Sequence, residues 1–152
     1  MLKKICLLIA LGFSEFVQAQ DAHPFNLTFN HIALSVKDIE REVEFYGKVL
    51  RLTEIENKTK EGGRRWFSLG EGKELHLLPT PTDHIVISKS VHMALTTPDF
   101  DALVTALDIK GIVYSDWPGT PHKINLRADG IRQIFFQDPE GYWIEVNSVA
   151  KR

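Results

Sequence analysis

The chain has 152 residues, a net charge of −2 and a single cysteine. That length suits one domain with a proper core. Mild acidity gives no general reason to bind DNA or a membrane surface, and the lone Cys6 excludes an internal disulfide.

Residues 1–19 read as a secretory signal peptide. Lys3 and Lys4 form a short positive region, Cys6–Phe13 is apolar without a charge, and Val17-Gln18-Ala19 places small residues at a cleavage site. The apolar run is too short to span a bilayer. The expectation is an exported protein, periplasmic or secreted, with residues 20–152 as its mature domain. It predicts no membrane association after cleavage and no nucleic-acid partner.

His31–Val36 alternates, with Ile32, Leu34 and Val36 on one face and His31, Ala33 and Ser35 on the other, which is a strand with one packed face. Asp38 is placed to cap a helix carrying Ile39, Val43, Tyr46 and Leu50 at helical spacing. Short apolar-alternating runs follow at Leu52–Asn57, Arg65–Leu69 and Glu74–Leu78. Gly62-Gly63 and Gly70-Glu71-Gly72 punctuate them. The same order then recurs. Val91, Met93 and Leu95 alternate against His92, Ala94 and Thr96. Thr97 is a candidate cap, Pro98 suits a first helical turn, Phe100, Leu103, Val104 and Leu107 form a stripe, and Gly111 can end the helix. Candidate strands follow at Ile112–Ser115, Ile124–Ala128 or Ile131–Gln137, and Tyr142–Asn147, with turns at Asp129-Gly130 and Asp138-Pro139-Glu140-Gly141.

The two halves align residue by residue. His31 meets His92 and Asp38 meets Asp99 at one offset. Phe67 meets Phe136, Glu71 meets Glu140, Gly72 meets Gly141 and His76 meets Glu145 at another, so an insertion lies near Ser115–Lys123. Two such units are too few for a solenoid and fit a fused pair. The predicted fold is α+β: two tandem βαβββ modules, about 28–80 and 88–149, whose curved mixed sheets surround a metal-binding cleft.

His31 and His92 open the first strand of each module, and His76 and Glu145 sit in the last. Their neighbours Ile, Leu, Val or Met belong to the opposite face, so all four side chains leave the apolar layer. If the sheets curl together, three imidazoles and a carboxylate converge, a donor set suited to one divalent ion such as Zn, Ni, Mn or Fe. Glu74, two residues before His76 on the same face, is the register alternative. His23, His84 and His122 lack this pairing, although His122 and Lys123 could meet substrate.

NHIALSV, VHMAL, LHL and above all IRQIFFQDPEGYWIEVN resemble the vicinal oxygen chelate superfamily, which includes glyoxalase I, extradiol dioxygenases and bleomycin-resistance proteins. The resemblance runs from about Asn30 to Asn147 and implies a metal on His31, His76, His92 and Glu145. It implies a lyase or isomerase of the glyoxalase I type (lactoylglutathione lyase-like), acting on a small oxygen-rich substrate by chelation and proton transfer, with Glu145 as the base. The bacterial glyoxalase I has a glutamate where this chain has His76, and relatives with three ligands match only His31, His92 and Glu145. Alternatives within the fold are an extradiol-type dioxygenase and a non-catalytic binding or resistance protein. Trp143 is a candidate cleft wall, and Arg127 and Arg132 are candidate anchors for an anionic substrate. The resemblance also implies a possible homodimer.

Overall fold

A computed structural model describes residues 27–80 and 87–149. The expected signal peptide, His23 and His84 lie outside the described residues. Among those described, no helix is long and apolar enough to cross a membrane.

Module one runs β1 (His31–Val36), α1 (Ile39–Glu44), a π-helical turn (Phe45–Val49), β2 (Thr53–Ile55), β3 (Arg65–Gly70) and β4 (Lys73–Pro79). Module two runs β5 (His92–Thr97), α2 (Phe100–Ile109), β6 (Asn125–Leu126), β7 (Arg132–Gln137) and β8 (Trp143–Ser148). Each makes a four-stranded mixed sheet, in the orders β1-β4-β3-β2 and β5-β8-β7-β6. The first strand of each module pairs parallel with its last, and the other pairs are antiparallel. These are the two βαβββ modules of an α+β fold.

The alternation in β1 places Leu34 and Val36 in the core and leaves His31 and Ala33 exposed. Asp38 caps α1 as expected, its Oδ1 accepting from the Arg41 amide at 3.1 Å. The helix then widens into the π-helical turn, where the Leu50 amide donates to Phe45 O at 3.1 Å. The wider turn lets the consecutive residues Phe45 and Tyr46 both bury. In module two the helix starts later than expected. Its N-cap is Asp99, while Thr97 Oγ1 accepts from the Asp99 amide and Pro98 precedes the helix. Gly111 does close α2, at φ 67°.

Ile112–Ser115 is not a strand. Ser115 alone bridges Phe135 and Pro121, because β7's edge is already taken at Arg132 and Gln133 by β6. The Ser115–Phe135 bridge stands where Ile55 pairs with Trp66 in module one. Ser115 therefore keeps β2's place in reduced form, and the inserted residues follow it.

One apolar cluster spans both modules, joining Val36, Tyr46, Phe67, Leu75 and Leu77 to Phe100, Leu107, Ile134, Phe136 and Ile144. The Asp138–Gly141 turn clamps the modules together. Tyr46 Oη donates to Asp138 Oδ2 at 2.8 Å, and the Lys37 and Asp38 amides donate to Glu140 Oε1 at 2.9 and 3.0 Å. The Glu140 amide donates to Glu42 Oε1 at 2.9 Å, and Tyr142 Oη donates to Ser35 O at 3.0 Å. This clamp occupies the segment whose sequence is most distinctive.

Candidate functional site

The strand registers settle which residues are equivalent. In module one, His31 lies opposite Glu74 and Ala33 opposite His76. In module two, His92 lies opposite Trp143 and Ala94 opposite Glu145. His31 therefore corresponds to His92 and His76 to Glu145, while Glu74 corresponds to Trp143. Glu74 is a neighbour of His76, its Oε2 lying 2.8 Å from His76 Nε2.

One chain brings the four expected donors together as two pairs, one on each sheet. His31 and His76 stack with ring centroids 4.3 Å apart and planes within 15°. Trp66 stacks on the other face of His76 at 3.8 Å, so this imidazole is sandwiched and 9% exposed. In the second pair, His92 Nε2 stands 3.0 Å from Glu145 Oε2. Among the described residues, no three His, Cys, Asp or Glu side chains gather closely enough to hold a metal ion within one chain.

The second pair is held from behind. His92 Nδ1 lies 2.9 Å from Lys89 O, so Nδ1 donates to that carbonyl and Nε2 is the nitrogen turned toward Glu145. Glu145 is buried, and its Oε1 accepts from Gln133 Nε2 at 2.7 Å and Asn147 Nδ2 at 2.6 Å. That leaves Oε2 facing His92. Two donor atoms each about 2.1 Å from one ion, and at right angles around it, stand about 3 Å apart. The His92–Glu145 spacing fits that edge, and three imidazoles with one carboxylate fit a divalent transition metal in chemistry.

Aromatic rings wall this pair. Phe135, opposite Glu145 in the β7–β8 register, meets His92 edge-on at 5.8 Å, and Trp117 meets His92 at 6.3 Å. Trp143 lies two residues from Glu145 on the same face of β8. Trp66 occupies in module one the place of Phe135 in module two. Lys89 reaches into this wall, and burial draws its pKa below the ordinary lysine value against the opposing pull of Asp116. Sequence alone did not single out Lys89, Trp66, Gln133, Phe135 or Asn147. Alternation along β3, β7 and β8 carried the signal, since these last four residues share the donor-bearing face.

The other expected site residues lie elsewhere. Arg132 alternates with core residues Ile134 and Phe136, forks onto Asp101 of α2 at 2.6 and 3.1 Å, and covers the Phe100 ring at 4.7 Å. Arg127 pairs with Asp129 inside its own turn at 2.7 Å. His122 pairs with Asp108 and Lys123 with Asp116. A cavity of about 250 Å³ follows the seam between β1, β5 and β8, lined by Ala33, Tyr46, His92, Tyr142 and Trp143 among others.

Comparison with known proteins agrees with this architecture. The sequence model of the Glyoxalase/Bleomycin resistance protein/Dioxygenase superfamily matches residues 28–146. A protein of Arabidopsis thaliana, Glyoxylase I 4, is 25% identical over 133 residues, covering 82% of this chain and 72% of the relative. Among solved structures, a glyoxalase/dioxygenase from Nostoc punctiforme is 27% identical with a TM-score of 0.65, covering 84% of this chain and 95% of its own. A lactoylglutathione lyase from Agrobacterium tumefaciens is 18% identical with a TM-score of 0.60, covering 80% of this chain and 92% of its own, a likeness of fold.

Proposed function

Because the chain belongs to the Glyoxalase/Bleomycin resistance protein/Dioxygenase superfamily, we propose that it is a metal-dependent lyase or isomerase of the glyoxalase I type. Its substrate is a small molecule with adjacent oxygens, and His31, His76, His92 and Glu145 hold one divalent ion. The observation that carries this reading is the repeated register: β1–β4 and β5–β8 offer donors at the same two positions, and the members of each pair touch. Since the two pairs stay separate within one chain, the reading includes a homodimer. The His31–His76 pair of one copy then faces the His92–Glu145 pair of the other.

When bound, the ion supplies Lewis-acid polarisation of neighbouring substrate oxygens, which lowers the pKa of the adjacent C–H. The chain's own residues do the rest. Glu145 is fixed through Oε1 by Gln133 and Asn147. Its Oε2, which faces His92, would serve as the base only when loosened from the ion, taking a proton from one carbon and returning it to the next. Phe135, Trp117 and Trp143 line this side and exclude water, which strengthens each charge interaction inside. The test is deuterium exchange. Holoprotein in D₂O, offered hemithioacetals and 2-hydroxyketones, is expected to move solvent deuterium onto carbon, and Glu145→Gln is expected not to. Absence of exchange across the panel at full metal loading overturns the proton-transfer reading.

A second reading, iron(II)-dependent ring cleavage, is favoured by the glyoxalase/dioxygenase from Nostoc punctiforme and by the aromatic wall. Oxygen uptake with catechols by the iron(II)-loaded protein separates the two. We also propose export with removal of residues 1–19, checked by N-terminal sequencing of the mature protein.

A further inference from the structure

Lys89 lies three residues ahead of His92, outside the strands. Its Nζ donates to Ser115 Oγ at 3.1 Å, to the Asp116 carbonyl and to the Trp117 carbonyl at 3.1 Å. The same ammonium faces three rings, Phe135 at 4.7 Å, Trp143 at 4.9 Å and Trp117 at 5.8 Å. An ammonium has three N–H donors, and all three are engaged here. Lys89 therefore has no donor left for a substrate anion, and its place in the wall calls for another account.

Two further contacts supply it. The Lys89 carbonyl is the group that orients His92 through Nδ1. The loop that Lys89 grips is braced on its far side, because Asp116 Oδ1 accepts from the Gly119 and Thr120 amides and Asp116 pairs with Lys123. Trp117 is 49% exposed, so its apolar contacts alone hold the loop weakly. Lys89 is the link between this braced loop and β7, β8 and His92.

We propose that Lys89 is a positioning residue: its ammonium latches the Ser115–Trp117 loop onto the Phe135–Trp143 wall, and the anchored backbone keeps His92 Nε2 directed at Glu145. A surface lysine paired with a carboxylate makes one exchangeable contact. Here cation–π attraction and three carbonyl or hydroxyl acceptors act together around one ammonium. The role rests on the proposed metal site for its purpose but not for its geometry, so the test has arms with and without metal.

The full chain is compared with Lys89→Met, which keeps the length and loses the charge, and Lys89→Arg. Without metal, Lys89→Met is expected to raise amide exchange across residues 116–122 by about ten-fold or more. Its His92 ¹⁵N ring shifts are expected to move away from the wild-type values, and Lys89→Arg is expected to recover much of both. With Co²⁺ alone as the probe, Lys89→Met is expected to bind about ten-fold more weakly. Wild-type exchange and wild-type His92 ring shifts in Lys89→Met overturn the proposal. If wild type takes up no Co²⁺, the metal reading falls while the metal-free arms still decide the latch. Should Lys89→Met fail to fold, Trp117→Leu at its half-exposed position is read by the same ring shifts, and unmoved shifts there count against the latch.

Discussion

Replacing Glu42 by Gln is expected to abolish a pH dependence of stability that this fold builds in. Glu42 is fully buried at the module junction, where Oε1 accepts from the Glu140 amide and, among the described residues, Oε2 has no hydrogen-bond partner. Burial, then the nearby Asp138 carboxylate, push its pKa up to about 8, against the smaller opposing pull of the Glu140 amide. In the unfolded chain the same acid ionises near 4.5. Between these values the folded state holds a proton that the unfolded state has released, so stability falls as pH rises through that window. Below the window both states are protonated and the penalty vanishes. Above it the penalty is constant, about 5 kcal/mol in full, of which about 3 to 4 kcal/mol accrues between pH 5 and pH 8. Gln keeps the shape and the acceptor and stays neutral. The difference in unfolding free energy between Glu42→Gln and wild type should therefore shift toward the variant by that amount across the window. Urea denaturation of chelator-treated protein at unit pH steps, followed by far-UV circular dichroism, reads it. Parallel curves for the two proteins from pH 5 to pH 8 would refute the reasoning.

Three other outcomes follow from particular contacts. Leu75→Ala empties a fully buried position in the shared core and should cost about 2 to 5 kcal/mol in urea unfolding, with a loss below 1 kcal/mol contradicting the packing. Gln133→Leu removes one of two amide donors to Glu145 Oε1 and should weaken metal affinity by about 10- to 100-fold while leaving the fold intact, as judged by Co²⁺ titration and circular dichroism. Arg132→Ala cuts the fork to Asp101 and the contact over Phe100, costing about 1 kcal/mol or less because the pair is solvent-exposed, with metal content unchanged.

Much of the fold was legible because alternation and helical spacing are local. His31–Val36 buries Leu34 and Val36 in alternation, Trp143–Ser148 alternates apolar Ile144 and Val146 with Trp143, Glu145 and Asn147, and the repeat of Gly72 as Gly141 marks equivalent turns, both at positive φ. Asp38 announced its helix because a cap needs only residues three positions apart. Thr97 misled because its Oγ1 accepts from the Asp99 amide, a capping-like bond made ahead of the helix, while the N-cap position falls on Asp99. Ile112–Ser115 looked like a strand by composition, but pairing depends on a free edge, β6 holds β7 at Arg132 and Gln133, and only Ser115 reaches Phe135. The donor positions were visible as a repeated pattern. Their supports were not: Gln133 reaches Glu145 and Lys89 reaches Ser115 only once registers and loop paths exist. Arg132 read as an anion anchor because the sequence does not say that Asp101 of α2 lies across from it.

The most direct test of the central claim is elemental analysis of the protein, purified without added metal or chelator, beside His31→Ala, His76→Ala and Glu145→Ala. The account predicts about one zinc, nickel, manganese or iron per chain in the wild type, and its loss in all three variants with circular dichroism unchanged. A wild type that carries no metal and takes none up on titration contradicts it, as does a variant that retains the full complement.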